Sequence, residues 1–244
     1  PMDLSAERLV GEAMAAGCTV LCAGYNEPMI AAEWVHAVFA LAKRNGLTTA
    51  LISDGNATPE SLSYMKPVSD VLRVELKGYG EQQYHGLEGQ FEGVLASIRE
   101  ASRLRYWVEV VTTVVPGFND DMGGLSELAS ELYTIDPVIP WHIHGFVPRD
   151  CRTHRASPEP LLLMSVAGMA YARGLKFAYV GNASNTAEFA HTRCPGCHQV
   201  VIHRHDHRTL QVRLNDGACP QCKARVPGVF TRAARPSQRL TLHA

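Results

Sequence analysis

Four cysteines near the end of the chain form two Cys-x-x-Cys pairs, Cys194 with Cys197 and Cys219 with Cys222. Each pair can offer two thiolates about 2.3 Å from one ion, and two pairs joined by about twenty residues complete a tetrahedron. A redox dithiol needs only one pair, so the doubled spacing favours a zinc ribbon. Its four thiolates leave no open position, which makes the metal structural. Asn215-Asp216-Gly217 supplies turn chemistry between the pairs. His198, His203, His205 and His207 are expected on exposed hairpin positions rather than as ligands.

A second set of candidates follows short apolar runs. "CTVLCA" leads into "GYNEP", "TALIS" into "SDGN", and "VLRVEL" into "KGYG". "WVEVVTTVV" leads into "PGFNDD", "PWHIHGF" into "VPRD", and "KFAYV" into "GNASNT". Each run exits into glycine and hydrogen-bonding or charged groups. A single such loop is ordinary turn chemistry. In parallel α/β folds the exits share one face, where ligands bind, and six in succession point to a shared polar site.

The elements that place these residues alternate. Apolar runs of strand length are separated by helical patterns near 30–45, 58–68, 89–104, 122–134 and 158–173. Thr58-Pro59 and Ser157-Pro158 read as caps followed by proline in the first turn. Gly46 and Gly174 read as helix stops, and Asp120-Asp121 as a cap. Trp34 and Trp107 read as core, Trp141 is left open, and Tyr84 and His85 are left outside the site. Strands alternating with helices imply parallel pairing in a doubly wound sheet or a barrel. Leu4 to Gly17 forms a helical opening with Leu9, Val10, Ala13 and Met14 as its apolar face. A βα fold places a strand before such a helix, so a strand and its exit loop are expected upstream of this chain.

The 244 residues carry a net charge of −1, unevenly spread. From residue 191 onward 9 Lys or Arg face 2 Asp or Glu, against 14 and 22 before it. A basic end on an acidic body suggests two modules. Nucleic-acid binding is not expected, because Phe230 is the region's single aromatic and base stacking needs several. No run approaches the roughly 18 apolar residues of a membrane helix. With no basic-then-apolar leader, the cytoplasm is the expected compartment. Neither a Ser-His-Asp arrangement nor a phosphate-cradling glycine loop stands out.

"YNEP", "SDGNATPE", "ELKG", "VVPGFND", "PWHI", "YVGN" and the closing "CPGC…DGACPQC…VPGVF" occur in this order over nearly the whole chain. Together they resemble radical S-adenosylmethionine enzymes related to pyruvate formate-lyase activating enzyme, in the subgroup called AmmeMemoRadiSam. The resemblance implies a partial, TIM-like (β/α)6 barrel over 1–189, a zinc ribbon over 190–230 and a basic tail over 231–244, expected to be flexible. It also implies a [4Fe–4S] cluster and S-adenosylmethionine at the strand exits. Reductive cleavage would yield a 5′-deoxyadenosyl radical that abstracts hydrogen from a substrate.

Carried over by resemblance, Tyr25, Asn26 and Glu27 hold the methionine ammonium. Ser53, Asp54 and Asn56 handle the carboxylate or ribose. Lys77 suits the carboxylate and Glu75 the ribose, Thr113 and Val115 line the adenine, and His142 matches a histidine on the next strand. The subgroup's "WHISRFHP" is here "WHIHGFVP", so an Arg and a His near the substrate are replaced, with His144 in their place. A protein substrate or partner subunit is the implied partner.

The cluster needs three thiolates spaced Cys-x-x-x-Cys-x-x-Cys. Cys18 and Cys22 have the first interval, but Ala23, Gly24 and Tyr25 follow. Both cysteines are read as strand residues buried in packing, and the cluster ligands are expected upstream. The chain is then either a piece of a longer enzyme, the favoured reading, or a cluster-free homologue acting as a pseudoenzyme or partner subunit.

Overall fold

The computed structural model describes residues 5–87, 89–148, 155–205 and 208–230. Cys151, His207 and the basic tail 231–244 lie outside them. Six parallel strands form one sheet in the order β1 to β6: Val20–Ala23, Thr48–Ser53, Val71–Glu75, Trp107–Val114, Trp141–Gly145 and Ala178–Gly181. The connecting helices are α1 Ala6–Ala15, α2 Ala32–Arg44, α3 Pro59–Met65, the single turn α4 Glu81–Tyr84, α5 Phe91–Arg103, α6 Met122–Ile135 and α7 Pro160–Ala172. A three-stranded antiparallel sheet follows, β7 Thr192–Arg193, β8 Val200–His205 and β9 Arg208–Val212. This is the expected α/β architecture with a small C-terminal ribbon.

The period-2 pattern divides the large sheet into two faces. Leu51, Leu72, Val74, Val108, Val110, Trp141, Ile143, Ala178 and Val180 point one way and pack beneath the helices in one core cluster. Arg73, Glu75, Trp107, Glu109, His142, His144 and Tyr179 alternate with them and occupy the inner face. Each fully buried aliphatic side chain contributes about 1.5–3 kcal/mol. The helix-side face therefore supplies stability and leaves the inner face free for polar groups.

Several local signals hold. Thr58 accepts from the Ser61 backbone N–H in a reciprocal capping box with Pro59 in the first turn. Asp121 caps α6 through Gly124 N–H at 2.8 Å, whereas Asp120 accepts from Gly117 N–H and closes the preceding turn. Gly46 and Gly174 have φ of 80° and 103°, the left-handed conformation of helix stops. Asp216 and Gly217 also have positive φ, as the ribbon turn requires.

Other expectations are corrected. Helix α7 begins at Pro160 and Ser157 does not cap it, because the second proline takes the first-turn position. Trp34 is 44% exposed, one step off the buried α2 stripe of Val35, Val38, Phe39 and Ala42. Met14 similarly leaves the α1 interface to Val10, Leu9 and Ala13. Trp107 alternates out of the core onto the inner face, while Trp141 is fully buried and donates to Thr112 Oγ1 at 3.0 Å. Cys18 and Cys22 are both exposed. Cys18 precedes β1, and β1 lies at the sheet edge with one neighbour, which leaves its inner face uncovered.

Candidate functional site

The first exit turns sharply. Gly24 lets the backbone approach Ile52, whose Cβ would lie 3.0 Å from an added Cβ. Tyr25 then adopts φ 78° with its ring fully exposed, a left-handed conformation costly for a residue with a side chain. This turn brings Glu27 back over the second exit. Its carboxylate accepts from Ser53 Oγ at 3.0 Å, Asp54 N–H at 2.9 Å and Met29 N–H at 3.2 Å. Gly55, with φ 86°, completes that exit where an added Cβ would strike Val94 at 2.6 Å.

Tyr25, Asn26, Glu27, Ser53, Asp54 and Glu75 thereby line one hollow of about 230 Å³ with Ile52. Lys77 joins it through a 2.9 Å ion pair with Asp54, and Glu75 is paired with Arg73 at 2.5 Å. Three carboxylates face two cations around this hollow, leaving one negative charge in excess. Asn56 is exposed and lies against Gly89, outside the hollow.

The third and fourth exits are fastened by a residue not singled out in the sequence. Asn119 is 1% exposed. Its Oδ1 accepts from Val115 N–H at 2.7 Å, and its Nδ2 donates to Lys77 O at 2.8 Å and Thr113 O at 2.9 Å. Thr113 and Val115 are therefore held by backbone bonds in the loop beside Lys77. The "PGFND" segment carried the signal, since a buried amide can satisfy both donors and acceptors in a turn. Tyr84 is buried and accepts from Lys77 N–H at 3.0 Å. Burial pushes its phenol up to about 12 despite that bond, so it serves as a neutral support.

His142 lies elsewhere, in a hollow of about 880 Å³ between the inner face of β4–β6 and the ribbon. Its Nε2 is 3.0 Å from Glu109 Oε2, and Trp107 Nε1 donates to Glu109 Oε1 at 2.8 Å. Burial raises the Glu109 pKa, but the hydrogen bond and charge of His142, with Trp107 and Arg73, more than offset it and hold the carboxyl below its ordinary range.

In the ribbon, the thiol sulfurs of Cys194, Cys197, Cys219 and Cys222 all lie within 4.8 Å of one another. Cys194 to Cys222 is 3.5 Å and Cys197 to Cys219 is 3.6 Å. A tetrahedron with 2.3 Å metal–sulfur bonds has edges of about 3.8 Å, so four thiolates here fit one ion. His198 and His205 are exposed, as expected. His203 is not, since its Nε2 is buried beside His191, with ring centroids 5.2 Å apart. Among the described residues this is the one set of three or more ligating groups. Cys18 and Cys22 are the remaining described thiols, so among the described residues no cysteine triad stands at the strand exits.

No family model matches the sequence. An uncharacterised protein of Methanocaldococcus jannaschii is 27% identical over 230 residues, 91% of this chain, which spans 66% of that relative's length. Among solved structures, a domain of pyruvate-formate lyase-activating enzyme from Bacteroides vulgatus superposes with a TM-score of 0.59 at 16% identity, covering 66% of this chain and 98% of that one. A radical SAM methyltransferase from Sphaerobacter thermophilus gives 0.63 at 16% identity, covering 77% and 60%. Methylornithine synthase gives 0.53 at 19%, covering 74% and 56%. No helix among the described residues is long and apolar enough to cross a membrane. The fold, reached first from alternating strands and then from the six-stranded sheet, is the one seen in radical SAM enzymes.

Proposed function

We propose that the chain is the S-adenosylmethionine-binding barrel of a radical SAM enzyme of the activating-enzyme type, with a zinc ribbon at its end. The charge balance of the small hollow carries this reading. S-adenosylmethionine bears an ammonium, a sulfonium and a carboxylate, a net positive charge that complements the excess carboxylate among Glu27, Asp54, Glu75, Arg73 and Lys77. About 230 Å³ suits the amino-acid end rather than a whole ligand of ordinary size. Glu27 has three protein donors and retains lone-pair capacity for an ammonium. Lys77, held by Asp54, is placed to exchange that partner for the ligand carboxylate.

When bound and reduced by one electron, S-adenosylmethionine supplies a 5′-deoxyadenosyl radical. The described residues offer no thiol triad for the iron–sulfur cluster that would deliver the electron. A second reading is that the chain binds S-adenosylmethionine as a cluster-free partner subunit.

Calorimetry with S-adenosylmethionine tests the site. Saturable binding is expected, lost in Glu27→Ala and weaker for S-adenosylhomocysteine, which lacks the sulfonium charge. Equal affinity for both ligands, or binding that survives Glu27→Ala in a folded protein, refutes it. Reduction of the bound ligand to 5′-deoxyadenosine after iron–sulfur reconstitution separates the enzyme from the cluster-free subunit. Metal analysis should find about one zinc per ribbon, because four thiolates with no open position suit that ion.

A further inference from the structure

The large hollow is assigned nothing by the reading above and shares no lining residue with the small one. Its barrel wall is built around a carboxylate–histidine pair. With Nε2 of His142 committed to Glu109, Nδ1 has no protein partner among the described residues. Nδ1 is thus left for a guest, accepting a hydrogen bond from it as neutral imidazole or donating one to it when the ring is protonated. Tyr179 fixes the imidazole by stacking at 5.1 Å, and its own hydroxyl is tied to Thr192 of the ribbon at 2.9 Å.

The ribbon wall contributes Arg204. Its Nη1 donates to Thr192 Oγ1 at 2.7 Å and Ala190 O at 3.2 Å, which locks the guanidinium in place. It lies 5.6 Å from the centre of the Tyr179 ring. Among the described residues its Nε and Nη2 have no protein partner and no carboxylate pairs with it. Among the described residues Glu109 is the one acid lining the hollow, and its carboxylate is already engaged by His142 and Trp107. Trp107, Phe177 and Phe230 supply apolar wall. A fixed, unpaired cation, an uncommitted imidazole nitrogen and aromatic surface together select a definite kind of guest.

We propose that this hollow is a second ligand site, for a small molecule carrying a carboxylate or phosphate on a flat apolar body, with Arg204 binding the acidic group and His142 Nδ1 hydrogen-bonding the guest. About 880 Å³ falls within the range of small-molecule sites. The roof of ribbon residues favours a small guest over a folded partner. The assignment stands without the S-adenosylmethionine reading, because the two hollows use different residues.

Phenyl phosphate is a suitable probe and benzyl alcohol its neutral control. Titrating the zinc-loaded chain and following imidazole signals by NMR should show saturable movement of the His142 resonances, assigned by their loss in His142→Gln. A dissociation constant near about 1 mM is expected for so small a guest, with benzyl alcohol far weaker. Arg204→Gln should weaken phenyl phosphate roughly tenfold or more with its melting temperature kept. If Arg204→Gln unfolds, wild-type binding must still weaken between low and high salt for phenyl phosphate alone. Glu27→Ala should leave this binding intact while removing that of S-adenosylmethionine, so either reading can fail alone. Unmoved His142 signals up to roughly 10 mM, an unchanged constant in folded Arg204→Gln, or equal binding of the neutral control would each overturn the assignment.

Discussion

Replacing Asn119 tests whether the strand exits are held by one buried amide. The side chain is 1% exposed and makes three bonds, to Val115 N–H, Lys77 O and Thr113 O. At about 1 kcal/mol net for each, Asn119→Ala should cost about 3 kcal/mol, because water has no ready access to the abandoned groups. For a domain of this size that corresponds to a melting temperature lower by roughly 6–12 °C. Asn119→Asp is the sharper variant. It keeps an acceptor for Val115 N–H but turns oxygen toward the carbonyls of Lys77 and Thr113. At neutral pH it should be at least as unstable as the alanine variant. It should recover partly on acidification, since only the protonated carboxyl can donate. Urea unfolding of the three proteins measures this. A loss below about 1 kcal/mol in Asn119→Ala, or an aspartate variant indifferent to pH, would show that the amide does not fasten the loops.

Three further outcomes follow from the same physics. Glu109 has a folded pKa below its ordinary value, so its stabilising contribution is present above the unfolded carboxylate pKa and is lost as pH falls through the lowered one. The urea midpoint of wild type should therefore exceed that of Glu109→Gln at pH 7 and converge on it in acid; a constant gap would contradict the pairing. Tyr25→Gly should stabilise the fold by about 0.5–1 kcal/mol, because the left-handed backbone is relieved, no packing is lost and glycine's extra chain entropy offsets only part of the gain. A lower unfolding midpoint would refute that account. Stripping metal with a strong chelator should collapse NMR signals of the ribbon, whose Val201, Ile202 and Val226 pack with Phe177, just before β6, in a small cluster apart from the main core, while helical circular dichroism persists. Concerted loss of both would show that the barrel depends on the ribbon.

Features encoded locally were readable from the sequence. The alternation of strands and helices, the Thr58 cap, the stops at Gly46 and Gly174 and the cysteine spacing each depend on a few neighbouring residues. What escaped depends on position within the assembled sheet. Cys22 has the composition of a buried strand residue, yet it faces an uncovered edge. Trp107 reads as core because tryptophan usually is, but alternation puts it on the inner face beside Glu109. Two prolines, Pro158 and Pro160, offered competing helix starts, and the later one prevailed. Asn119 looked like turn chemistry in "PGFND", and only the adjacency of β3 and β4 reveals that it spans two exits. His142 and Glu27 both belong to the polar side of the sheet, and sequence order alone could not tell that they occupy different hollows.

Arg73 explains how those hollows stay electrically distinct on one surface. It lies in register with Glu109 on β4 while its Nη2 is bound to Glu75 on its own strand. It also helps hold Glu109 ionised. Its Nε is buried with no partner among the described residues, a cost tolerated where one cation must serve two acids. Toward β1 and β2 the carboxylates of Glu27 and Asp54 outnumber Lys77, and the field favours a cationic guest. Toward β6, among the described residues lining the hollow, the one acid is already hydrogen-bonded to His142 and Trp107 and Arg204 has no acidic partner, so the field favours an anionic one. Guests of opposite charge are thus drawn to opposite ends of the same inner face, and each strengthens the attraction of the other. Under the two proposed assignments, a sulfonium nucleotide and a second molecule gain selectivity from this polarity, because exchanging their places would set like charges against each other at both ends.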